Sequence, residues 1–228
     1  MLTRFAALLR AQHPGITPMV LSMSSLEIES GLEDLTLDLA LGYIERMPSH
    51  SPNRSRLQSW PQYLEHYYLL CRADLSDGQP FGFGKPVTWS DAAAMPLCLL
   101  TPDMHNRTVI DDAFASAGCV VRPAIETNSV LALLMAVTER DEAPVSDGDA
   151  GADQLGMAAV LPGAMVAAVR HTPGVLARPL CSPELLTPIG FMTQQGVAPT
   201  RALQAALQLQ AGAEWQACCR RHAGALSG

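Results

Sequence analysis

The chain has no basic segment. Its 15 lysines and arginines face 22 aspartates and glutamates, a formal charge of −7, and the densest basic cluster is only Arg220-Arg221. A polyanion is repelled by such a field, so this chain is a poor nucleic-acid binder. Apolar runs stop well short of the roughly 18–20 residues that a membrane-spanning helix needs. At the N-terminus, "MLTRFAALLRAQHPGI" is interrupted by Arg10 and Gln12 too early for a secretory signal, and Leu2, Phe5, Leu8 and Leu9 follow helical spacing. The segment reads as an amphipathic helix and the chain as cytoplasmic, with no membrane partner. The six cysteines show no disulfide-framework spacing, which leaves them as small core residues or free thiols. Cys218-Cys219 lies near His222 but has no CxxC pattern and would need a further ligand to hold a metal.

Catalytic signatures are missing as well. There is no GxSxG, no Walker sequence, and no HxH or HxxxH pair. Gly82-Phe83-Gly84 lacks the downstream glycine of a nucleotide loop. The acidic stretch "DGDAGAD" puts Asp147, Asp149 and Asp153 at calcium-loop positions 1, 3 and 7. Ala152 stands where that loop needs glycine and Ala158 where it needs glutamate, so it reads as a solvated loop. No catalytic residue, metal site or cofactor is expected.

What the chain does have is apolar residues, 48% against 16% charged, which is the balance of a globular protein rather than a disordered one. Elements alternate along it. A helix over 2–12 stops at Pro14-Gly15, a strand is predicted over 16–23, and a helix follows with Ser24 and Ser25 at its start and Glu27 and Glu29 in its first turns. A second strand spans 37–44. A polar loop at 47–61 precedes a strand from Tyr63, a glycine-rich connection at 76–86, a short capped helix in "TWSDAAAM" and the strand "PLCLL". Then come a helix after Asn106, a strand near 119–126, the helix "SVLALLMAVTE", an acidic insert at 140–154, and the apolar segment "LGMAAVLPGAMVAAV". Strands near 174–180 and across "LLTPIGFMT" lead to a final helix from 199, with the tail beyond Trp215 loosely held. This alternation predicts an α/β fold with parallel strands and crossover helices.

His13-Pro14-Gly15, Ser24-Ser25 and Leu37-Asp38-Leu39-Ala40-Leu41 occur in a spacing that resembles the start of the effector-binding domain of LysR-type bacterial transcription regulators. "WSDAAAMPLCLL", "NRTVIDDAFASAG", "ETNSVLALLMAV", "LGMAAVLPGAM" and "LLTPIGFMTQQGVAPTRALQAAL" follow in that family's order, so the resemblance covers about 1–212. It implies two Rossmann-like lobes like those of type 2 periplasmic binding proteins, joined by crossing strands, with a ligand in the cleft. Lobe I would hold 1–72 and 190–228, and lobe II 73–189. The resemblance further implies that the family's winged helix-turn-helix, linker helix and first strand are missing from this chain. Loss of a central strand leaves unpaired backbone and exposed apolar faces, so marginal stability is expected. A cooperative melt above about 60 °C, high for a mesophile domain, would count against that expectation. By the same resemblance, lobe I pairs with a second copy in a dimer or tetramer through Leu2–Gln12 and the 16–23 strand, and DNA is reached only through the missing N-terminal domain.

In open α/β folds, ligands lie beyond the carboxyl ends of strands, where helix N-termini offer free N–H groups. Three places fit: Ser22, Ser24 and Ser25; Thr101, Pro102 and Arg107; and Thr127 with Ser129. Their hydroxyls and backbone donors suit a small organic acid or other small anion as effector, and the same residue types cap helices. Thr101 and Pro102 lie at a strand end, with His105 or Asn106 as a cap for the next helix and Met104 against ligand or core. Arg107 either neutralises an anionic effector or pairs with Asp111 four residues on. The leading reading is an effector-sensing domain. A free-standing solute-binding protein would be marked by an upstream signal peptide, and an enzyme on this fold by an acid–base pair.

Overall fold

The computed structural model describes residues 1–44, 57–72, 80–138 and 156–222. The acidic insert with Asp147, Asp149 and Asp153, most of the polar loop at 47–61 and the start of the glycine-rich connection lie outside the described residues. In chain order the elements begin with α1 (Leu2–Gln12), α2 (Ser25–Glu33), β1 (Ala40–Tyr43), β2 (Leu57–Arg72), β3 (Gly82–Phe83), β4 (Val87–Thr88) and α3 (Trp89–Ala93). Next are β5 (Leu97–Leu100), α4 (His105–Ser116), β6 (Ile125–Thr127), α5 (Val130–Thr138), β7 (Ala158–Pro162) and α6 (Gly163–Val166). After a 3-10 turn come β8 (Val175–Cys181), β9 (Leu186–Gln194), α7 (Arg201–Ala211) and α8 (Ala213–His222). No described helix is long and apolar enough to cross a membrane.

The chain divides into two compact units, the first formed by Met1–Glu65 with Thr187–Ala225 and the second built on His66–Leu186. The first boundary falls inside β2 and the second just after β9 begins.

In the first unit, β9 lies between β1 and β2. The β1–β9 ladder is antiparallel, with Ala40 opposite Met192 and Tyr43 opposite Ile189, so the parallel pairing expected around this strand does not occur. Residues 57–61, expected in a loop, form the start of β2. Gly190 lets β9 approach closely, because a Cβ there would sit 2.6 Å from the Trp60 carbonyl oxygen. One face of the sheet is covered by α1, α7 and α8: Phe5 meets Phe191 at 4.5 Å and Trp215 at 4.9 Å between ring centroids. The other face carries Ala40 and Met192 under Leu32 of α2.

Two expectations fail in this unit. The tail beyond Trp215 is not loosely held: it is helical to His222, with Trp215, Cys218 and Cys219 buried against Phe5 and Phe191. Their spacing puts all three on one helical stripe. Residues 16–23 are not a strand either. They belong to no ladder among the described residues, and β1 is hydrogen-bonded on one side only, to β9.

The second unit is mixed. Parallel pairing joins β5 to both β6 and β7, and β3 and β4 to β8, while β2 runs antiparallel to β7 and β8. The strand expected near 119–126 is only Ile125–Thr127. Helices cover both faces, so β5 is buried at every position. Its alternation sorts the core: Leu97 and Leu99 pack with Trp89, Ile110 and Phe114 on one side, Cys98 and Leu100 with Leu133, Val137 and Val166 on the other.

Candidate strand-end site

The carboxyl ends of β5 and β6 lie side by side in the second unit, in parallel register with Leu100 opposite Thr127. One residue further, the Thr101 N–H donates to the Thr127 carbonyl at 3.0 Å, which extends the ladder into the loop. A turn then closes, with the Met104 N–H donating to the Thr101 carbonyl at 3.0 Å, and α4 starts at His105. Neither His105 nor Asn106 is the N-cap. That position belongs to Met104, which has no side-chain acceptor, and Asn106 is buried in the first turn. The Met104 side chain therefore does not cap the N-terminal end of α4.

Thr127 and Ser129 organise the neighbouring turn. The Thr127 hydroxyl oxygen accepts from the Ser129 N–H at 3.1 Å, and that of Ser129 accepts from the Ala132 N–H at 3.3 Å, at the start of α5. Each hydroxyl still has its own proton to donate. The Thr101 hydroxyl differs: its oxygen is buried and has no hydrogen-bond partner among the described residues. A buried unpaired hydroxyl costs about 1–3 kcal/mol, so it marks a place where something is to be bound or where energy is forgone. Pro102 follows it on the exposed turn.

Arg107 is 7% exposed, and its Nε and Nη1 are both engaged. Its Nε reaches both Asp111 oxygens at 2.8 and 2.9 Å, and its Nη1 reaches Glu126 Oε1 and the Leu100 carbonyl, both at 2.7 Å. The pairing with Asp111 foreseen from the i, i+4 spacing is present, and Glu126 is an addition. Burial works to lower the pKa of this guanidinium, but hydrogen bonds to Glu126 and Asp111 outweigh it and the net direction is up. One cation against two carboxylates leaves this cluster with no surplus positive charge. Its structural effect is to tie the ends of β5 and β6 to the first turn of α4.

The other group of predicted residues, Ser22, Ser24 and Ser25, sits in the first unit ahead of α2. Ser24 closes a capping box there: its hydroxyl accepts from the Glu27 N–H at 3.3 Å, and its own N–H donates to Glu27 Oε2 at 2.7 Å. This hydrogen bonding holds the Glu27 carboxyl below its ordinary pKa. Ser25 is the first residue of α2, and Ser22 is exposed ahead of it. Thus Thr101, Pro102, Arg107, Thr127 and Ser129 come together in one unit, and the three serines form a separate group in the other. The residue that the sequence did not single out is Glu126. It lies 19 positions from Arg107, and only the β5–β6 register brings it there. No group of three or more metal-ligating side chains occurs among the described residues.

Known structures share this fold. CbnR, a LysR family transcriptional regulator, superposes with a TM-score of 0.63 at 18% identity, over 98% of this chain and 65% of its own. The effector-binding domain of QuiR in complex with shikimate gives 0.64 at 13% identity, covering 98% and 92% of the two chains. The C-terminal domain of a probable LysR family regulator from Rhodococcus sp. RHA1 gives 0.65 at 17% identity, covering 93% and 92%. This chain spans just under two thirds of the length of that CbnR chain, 65%. No curated protein matches the sequence. Residues 1–141 match the family described as the LysR substrate binding domain, whose structural relatives are effector-binding parts of transcription regulators rather than enzymes. That match takes in more than half of the 228 residues, and the chain belongs to the LysR substrate-binding domain family.

Proposed function

We propose that this chain senses a small organic acid or similar anion as the effector-binding part of a LysR-type transcription regulator. The observation that carries the reading is the buried Thr101 hydroxyl, without a partner among the described residues, at the carboxyl end of β5 and beside the start of α4. Thr101, Thr127 and Ser129 offer hydroxyl protons, the N-terminal end of α5 offers N–H groups, and Pro102 borders them. These are the donors a carboxylate needs. Arg107 holds the strand ends in register and leaves recognition to the neutral donors. In the first unit, Ser22, Ser24 and Ser25 form the second group of hydroxyls at a helix start. Control of transcription belongs to the whole regulator: unit one pairs with a second copy through α1 and residues 16–23, in a dimer or tetramer, and DNA contact comes from a domain outside these residues.

A thermal-shift screen against small organic acids tests this, with shikimate included because the QuiR domain was solved with it. An effector raises the melting point by linkage. Thr101→Val should abolish that rise while leaving the ligand-free melting point unchanged or slightly higher, since it removes a buried hydroxyl that has no partner. An undiminished rise in the variant takes Thr101 out of the site.

A further inference from the structure

We propose that Glu126 and Asp111 form a charge filter that confines the strand-end site to singly charged carboxylates, with Glu126 as its specificity-determining residue. The proposal rests on the reading of that site as an effector site and narrows the class of effector it takes. The β5–β6 register sets Leu99 opposite Glu126 and Leu100 opposite Thr127. Neighbouring side chains of a strand point to opposite faces. Thr127 therefore goes to the face of α5, where it meets Ser129, and Glu126 to the face of α4, where it meets Arg107. Thr101 joins the two sides: its N–H donates to the Thr127 carbonyl, and its own carbonyl accepts from Met104 ahead of α4. Arg107 Nη1 holds Glu126 Oε1 and the Leu100 carbonyl at once, each at 2.7 Å. The Glu126 carboxylate thus stands two hydrogen bonds from the last residue of β5.

Asp111 alone balances the charge of Arg107, so Glu126 leaves the cluster with a negative charge in excess. Asp103 adds another exposed acid in the turn after Thr101. The Asp111 and Glu126 side chains remain 46% and 43% exposed, so the excess acts on whatever approaches from solvent. One ligand carboxylate is met by the neutral donors of Thr101, Thr127, Ser129 and the start of α5. A second carboxylate, or a doubly charged phosphate, approaches a cluster of its own sign and gives up water without gaining a cation. The site holds the first charge and repels the second, which is selection against the wrong ligand rather than for the right one. A merely structural Glu126 would tie β6 to Arg107 and do nothing else. Glutamine has the same acceptor oxygen and no charge, so exchanging the two separates these roles.

The test is isothermal titration of the whole chain with acids matched in skeleton and differing in charge: butyrate against succinate, hexanoate against adipate, benzoate against terephthalate. At about pH 7.5 every carboxyl in these pairs is ionised. In each pair that binds, the monocarboxylate should be tighter by about tenfold or more, the size of one like-charge contact at a protein surface. Glu126→Gln should tighten the dicarboxylate by about fivefold more than its partner and so narrow the ratio. Asp111→Asn should narrow it in the same direction, and serves if Glu126→Gln does not fold by circular dichroism. Glu214→Gln, which removes the same charge from α8 in the first unit, should leave the ratio unchanged. Dicarboxylates that bind the wild type as tightly as their partners overturn the filter. So does a ratio that survives both Glu126→Gln and Asp111→Asn, or one that Glu214→Gln narrows equally. In those cases the effector reading stands wherever Thr101→Val still abolishes binding. If no acid in the pairs or in the thermal-shift screen binds, the effector reading itself fails and the filter falls with it.

Discussion

Arg107 is a cation that the fold has already neutralised, and this decides how the strand-end site can recognise a ligand. Asp111 was legible as its partner because positions four apart share a helix face. Glu126 was not, because a parallel register between strands leaves no local trace in sequence. The guanidinium also holds the Leu100 carbonyl, so one side chain serves three elements. Arg107→Lys keeps the charge but not the fork, and one ammonium cannot meet all these acceptors. Both carboxylates are nearly half exposed and can turn to water, so the loss falls chiefly on the packed Leu100 carbonyl. Destabilisation of about 1–3 kcal/mol is expected by urea titration. A variant as stable as the wild type would show that the cluster is ornamental. Thr101 is the opposite case, a polar atom that the fold leaves unserved, and its valine variant should lose ligand response without losing stability.

At the scale of elements, α2 shows what a local pattern can determine alone. Ser24 and Glu27 form a reciprocal cap that is readable from their spacing. Ser24→Ala should cost about 1 kcal/mol. The pH dependence of this cap follows from the sign of the Glu27 shift. Its folded-state pKa is depressed below the ordinary glutamate value, so the folded form favours the carboxylate. The contribution is complete above about 4.5 and disappears as pH falls through the lower folded value. Amide exchange at the start of α2 should accelerate on acidification through that window, and Glu27→Gln should flatten the response. Residues 17–23 show the converse. Their apolar, β-favouring composition suits a strand, but a strand exists only when an adjacent edge accepts its hydrogen bonds. Propensity was legible here and pairing was not.

Across the whole molecule, two separate cores are built, one centred on Phe5, Phe191 and Trp215, the other on β5 and the helices around it. Trp215 is fully buried, and Trp215→Ala should destabilise the protein by about 3–5 kcal/mol. Faster amide exchange should follow in β1 and β9 before β5 and β7. Uniform acceleration in all four strands would show that the units unfold as one. Gly190→Ala tests a different constraint in the same core, because the added methyl group meets the Trp60 carbonyl and forces β9 away from β2. Loss of stability in that variant should accompany a disturbed β1–β9 ladder in its exchange pattern.

The sequence by itself determined most of what is periodic or adjacent. The α1 stripe, the capped starts of α2, α3 and α7, the buried run in β5, the α/β alternation and the ordered motifs of the family all depend on residues a few positions apart. Tertiary structure decided what depends on partners distant in the chain. It paired β1 with β9 rather than with residues 16–23, seated α8 under the first sheet, and brought Glu126 to Arg107. It also left one threonine hydroxyl buried and unpaired. Local free energies are written in neighbouring residues, whereas a hydrogen bond between strands or a shared core exists only once the chain has closed the loops between them.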